Sequence, residues 1–123
     1  MIEETSSGAG KDDELALRIR SMERNYAAKM PARLEQMNAA LQLFRDNIGD
    51  VRKRKEHMNT LFHLLHSIGG SAGAFGFDEL GLQAFQLEQK LSAHISADVW
   101  SEQALTELSS GLSALEHYFP VIQ

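Results

Sequence analysis

Apolar residues return every three or four positions along almost the whole of this 123-residue chain, and nowhere do they alternate strictly. That period aligns one face of an α-helix, whereas a half-buried strand needs a period of two. An all-α fold follows. Leu15, Ile19, Met22, Tyr26 and Met30 form a first buried stripe, which Pro31 interrupts. Proline lacks an amide donor and restrains the residue before it, so a boundary or kink falls near Met30. Proline also suits the first turn of a new helix. Leu34, Met37, Leu41 and Phe44 carry the pattern on to a helix end and turn at residues 47–50. Leu61, Leu65, Ile68, Ala72 and Phe75 define the next stripe. Asp78 then stands as a cap before Leu80, Ala84, Leu87 and Leu91. After a short connection at residues 96–98 come Leu105, Leu108, Leu112, Leu115 and Phe119. Four sizeable helices with short connections predict an antiparallel up-down-up-down four-helix bundle over residues 13–120. A short additional N-terminal helix lies against it. Residues 1–12, polar and small, are expected to form a disordered tail.

Composition narrows the function classes. Apolar side chains make up 43% of the chain, enough for a core. The formal charge is −5, so the basic footprint of a nucleic-acid binder is absent. Without cysteine there is no disulfide, no thiol nucleophile and no Cys-containing zinc site. Residues 58–77 carry no Asp, Glu, Lys or Arg and include Gly69-x-x-x-Gly73, the spacing of some paired membrane helices. Their two histidines, Asn59, Thr60, serines and four glycines argue against a span. The first residues show no apolar stretch like a secretory signal, so the expected compartment is the cytoplasm, with no membrane partner. Arg52-Lys53-Arg54-Lys55 reads either as a docking patch for an acidic partner or as a solvated helix face.

The anomaly is residues 69–76, where four of eight positions are glycine. In a helix each glycine costs about 1 kcal/mol relative to alanine, so something must approach the backbone closely. At about 100° per residue, Leu61, Leu65, Ile68 and Ala72 point to the core. Asn59, Phe62, His63, Gly69, Gly70 and Gly73 fall within about 60° of His66, on the opposite side. His66 is thus expected to stand exposed on a face cleared of side chains, with Phe62 at its edge. A neutral imidazole there is a nucleophile that can carry a phosphoryl group on a ring nitrogen. Other readings stay open: a glycine-rich turn, or glycines that let helices approach closely. His63 and His66 alone do not complete a metal site, and no histidine has a glutamate three residues before it, as a helical di-iron site needs.

The segment from His66 to Gly76 resembles the core motif of histidine-containing phosphotransfer (HPt) domains. That motif runs histidine, any residue, aliphatic, Lys or Arg, glycine, small residues, then an apolar residue and glycine. His66, Ile68, Gly70, Ser71, Ala72, Phe75 and Gly76 match it. Leu80, Leu87 and Glu88 resemble the family's following helix, and Met30-Pro31-Ala32-Arg33-Leu34 the start of its first bundle helix. The resemblance covers roughly residues 13–119. It implies a phosphoryl carrier in a two-component phosphorelay rather than a stand-alone enzyme. His66 would take the group from a receiver-domain aspartate and pass it to another receiver. The implied partners are a response-regulator receiver and a sensor histidine kinase. No cofactor or metal belongs to the chain itself, and the receiver brings Mg²⁺. Phe62, His63, Gly69, Gly70 and Gly73 would form the docking surface, with Gly70 the least replaceable. Ser71 would be structural, and Glu88 would either orient the imidazole or be a solvated helix residue.

One departure stands out. The family usually has Lys or Arg where this chain has Gly69. The phosphoryl dianion then lacks its usual charge-assisted partner, unless Lys90 supplies the charge from the next helix. Two alternatives follow: a docking module of the same shape that does not transfer, or an unrelated helical-bundle interaction domain.

Overall fold

The computed structural model describes the backbone of residues 2–120 and the side chains from Gly10 onward. It is all helix: α1 (Ile2–Ala28), α2 (Met30–Asp46), α3 (Val51–Ser71), α4 (Asp78–Ala97) and α5 (Glu102–Leu115). Short 3₁₀ turns occupy Gly73–Phe75 and Glu116–Tyr118. α2 to α5 make the antiparallel bundle. Its centre is Met37 and Phe44 of α2, Met58, Leu61, Leu65 and Ile68 of α3, Leu80 and Leu91 of α4, and Leu105, Leu112 and Leu115 of α5. These are the stripes the period of three and four marks out. Among the described residues no helix is long and apolar enough to cross a membrane.

The helix ends follow from local chemistry. α1 and α2 meet at a one-residue break, Lys29, which keeps near-helical angles. Pro31 sits in the first turn of α2 and cannot donate back to Ala27, so the ladder kinks there. Asp50 caps α3 by accepting from the Lys53 amide at 3.1 Å, and Ser101 caps α5 by accepting from Ala104 at 3.1 Å. Asp78 departs from expectation. Phe77 holds the cap position without a side-chain bond, and Asp78 is the first helical residue. With Glu79 it puts acid against the positive end of the helix dipole, which is favourable without capping. The connection into α5 also lies later than expected: α4 runs through Ala97 and ends at Asp98, in the left-handed region with φ 48°.

The largest difference lies in α1. It spans 27 residues, so it is not short, and its helix runs through the segment expected to be disordered. Of its stripe only Tyr26 is buried, together with Met30 at the start of α2. Leu15, Ile19 and Met22 are exposed. The period is helical as read, but among the described residues only the last turns of α1 meet the body of the molecule. There Tyr26 stacks on Phe75 at 4.6 Å between ring centroids and shares a 2.8 Å hydrogen bond with Ser71.

α3 and α4 approach closely near the end of α3. A Cβ on Gly81 of α4 would stand 3.5 Å from the Ala72 Cβ and 3.6 Å from the Gly73 nitrogen. A Cβ on Gly69 would meet the Phe85 backbone nitrogen at 3.5 Å. The chain reverses through the 3₁₀ turn and Gly76, whose φ of +86° is strained for any side chain. Gly81, which no apolar stripe or motif marks in the sequence, places α4 against the site.

Candidate functional site

His66 projects from the C-terminal half of α3, with 68% of its side chain exposed. Its core-facing neighbours Leu65 and Ile68 are fully buried, so the anchoring face and the presenting face are the ones the period predicts. The imidazole is nonetheless fixed on two sides. Its Nδ1 lies 2.7 Å from Oε1 of Glu88 on α4, and the Phe62 ring, one turn back, lies nearly parallel at 5.9 Å. Glu88 is 7% exposed and is the one buried charged residue among those described. An ionised carboxylate can only accept, so Nδ1–H donates to it and the lone pair is left on Nε2. Among the described residues Nε2 has no partner and faces outward.

The glycines divide the work. A Cβ on Gly70 would meet nothing within 4 Å, so this position leaves the surface beside His66 open without any internal packing reason. Gly69 is turned to α4: its Cβ position borders the Phe85 backbone and lies 3.7 Å from Glu88 Oε2. Gly69 therefore lets the carboxylate helix come near the imidazole. Gly73 does not extend the helical face, because α3 ends at Ser71 and Gly73 lies in the 3₁₀ turn. His63 is exposed, with its ring edge-on to Phe62 at 5.7 Å. Ser71 donates to the Ser67 carbonyl at 2.6 Å while bonded to Tyr26, a structural position away from the imidazole. Among the described residues no three His, Cys, Asp or Glu side chains come together as a metal site.

Lys90 does not serve this surface. It lines the groove between α4 and α5 with Leu87, Gly111 and Ala114. Two other residues border the surface and were missed in the sequence. Phe85 of α4, half exposed, stands one turn before Glu88 and lies off the stripe Leu80, Ala84, Leu87, Leu91. That offset was a legible signal. Arg33 of α2 reaches α3 and donates to Ser67 Oγ at 3.2 Å, which no local pattern could indicate.

The Hpt domain family model matches residues 21–118, most of the chain. This protein belongs to the Hpt domain family, the phosphotransfer modules of two-component signalling, which interact with receiver domains and kinases. Comparison with curated proteins and with solved structures gave no match.

Proposed function

We propose that His66 is the phosphoryl carrier of a phosphorelay. The observation that carries this reading is an exposed imidazole with Nδ1 bound to the buried Glu88 and Nε2 facing a surface that Gly70 keeps clear. In the forward step Nε2 attacks the phosphorus of a receiver's aspartyl phosphate. The N–P bond forms, the acyl O–P bond breaks, and the aspartate leaves as a carboxylate. Glu88 holds the Nδ1 proton and offsets the positive charge that develops on the ring. Transfer to a second receiver is the reverse step on another aspartate. The receiver's Mg²⁺ and backbone donors stabilise the phosphoryl group, so this chain is a carrier and not a stand-alone enzyme. Phe62 and Phe85 give the docking surface apolar edges. His63 and Gly70 lie within it, Gly69 sets its α4 side, and Gly73 lies past its end. The partners in this reading are a receiver domain and a sensor histidine kinase.

A second reading, docking without transfer, draws on Gly69, which offers no cation beside the imidazole. It expects receiver binding that is indifferent to His66→Gln. The deciding experiment treats the protein with phosphoramidate and follows intact mass beside His66→Gln. One acid-labile phosphoryl adduct, absent from the variant, supports the carrier reading. No adduct on the folded protein, or an equal adduct on the variant, overturns it.

A further inference from the structure

The open surface beside His66 has two rims. Gly69, Phe85 and Glu88 form one, on the α4 side. Ser67 and Arg33 form the other, on the α2 side. At about 100° per residue, Gly70 and His63 both lie between His66 and Ser67 around α3, Gly70 one turn after the imidazole and His63 one turn before it, so only the C-terminal side of that arc toward the Arg33 rim is free of a side chain. Arg33 is held lightly. Its Nη1 donates to the Ser67 hydroxyl at 3.2 Å, and its guanidinium lies 5.9 Å from the Tyr26 ring centroid. Among the described residues no carboxylate lies within ion-pair distance of it, whereas Arg18, Arg45 and Arg54 each have one.

We propose that Arg33 is a positioning residue that moves from Ser67 to the phosphoryl group once His66 carries it. This rests on His66 being the carrier. A phosphoryl dianion is a far stronger acceptor than a serine hydroxyl, and a guanidinium forms charge-assisted, two-pronged bonds to it. The exchange costs one hydrogen bond to an exposed serine hydroxyl and the contact with the Tyr26 ring, and breaks no ion pair. The titratable and charged groups that border this surface are Arg33 from α2, bonded to Ser67, His63 from α3, edge-on to Phe62, and Glu88 from α4, bonded to Nδ1. Glu88 repels the dianion, which leaves Arg33 the one permanent cation of the three.

The test is a ³¹P titration of the full chain labelled with phosphoramidate, in wild type, Arg33→Gln, Arg33→Lys and Ser67→Ala. Arg33→Gln should raise the midpoint of the phosphohistidine's last ionisation by about half a unit, since an opposite charge favours the dianion. It should also shorten the adduct's lifetime. Arg33→Lys should restore most of the shift, and Ser67→Ala should leave it at the wild-type value or lower. A midpoint in Arg33→Gln that superimposes on wild type overturns the role of Arg33 and leaves the carrier reading intact. A wild-type chain that takes no label overturns both.

Discussion

α3 is asymmetric along its length, and its two ends treat polar groups in opposite ways. At the N-terminal end Arg54 donates to Asp98 at 2.8 Å and to the Ile48 carbonyl at 3.1 Å. Trp100 donates to the other Asp98 oxygen at 3.0 Å and tilts over Phe44 at 4.7 Å between centroids. One member of the basic run is thereby drawn into a lock that ties α3 to the end of α4, while Arg52, Lys53 and Lys55 stay solvated. At the C-terminal end His66 has one nitrogen bound and one open, and Gly70, one turn further on, carries no side chain. Groups that pair with one another serve stability, even though the buried Arg54 Nε has no partner among the described residues. A group left half complete, on a rigid helix, is available for chemistry.

Substitutions at the two ends should therefore separate stability from reactivity. Trp100→Ala should lower unfolding free energy by about 2 kcal/mol, through lost packing on Phe44 and a lost hydrogen bond. Denaturant midpoints report this, and phosphoramidate labelling of His66 in the folded variant should match wild type. Loss of labelling there would break the separation. Gly70→Leu should act the other way. Transfer from a phosphorylated receiver should fall about tenfold or more, a barrier of at least ~1.4 kcal/mol. Small-donor labelling should persist, and stability should hold or rise, because glycine is a poor helix former. A stability loss would show that Gly70 serves packing after all. Glu88→Gln keeps an acceptor for Nδ1–H but removes its charge. Labelling should slow roughly fivefold, about 1 kcal/mol, when followed by mass against time. The smallest effect is in acid. The Arg54 hydrogen bond, then that of Trp100, holds the Asp98 carboxyl below its ordinary value. Asp98 thus favours the folded state above its unfolded pKa near 4, and that contribution fades as pH falls through the lower folded value. Asp98→Asn, which tolerates the left-handed backbone, should be less stable than wild type at pH 7. The gap in denaturant midpoint should close below pH 4.

Helix content, the break at Pro31 and the direction of His66 were all legible, because each depends on a period or on a residue's own backbone chemistry. Leu61, Leu65, Ile68 and Ala72 mark the inner face of α3, and His66 must then point out. Glu88 was legible only as a choice between an orienting group and a solvated one. Its meeting with His66 spans 22 residues and depends on how α4 is rotated and how near it comes. Gly81, Ala72 and Gly69 decide that by letting the two backbones approach.

The sequence by itself determined that the chain is helical, where most of its helices turn, and that one histidine stands away from the core beside a gap. Tertiary structure decided which face each helix shows to its neighbours. It left Leu15, Ile19 and Met22 of α1 in solvent, sent Lys90 to the α4–α5 groove, brought Arg33 to Ser67 and buried a carboxylate under the imidazole. Periodicity is a property of one helix, whereas these pairings arise when several faces must be buried together, and no single segment encodes that outcome.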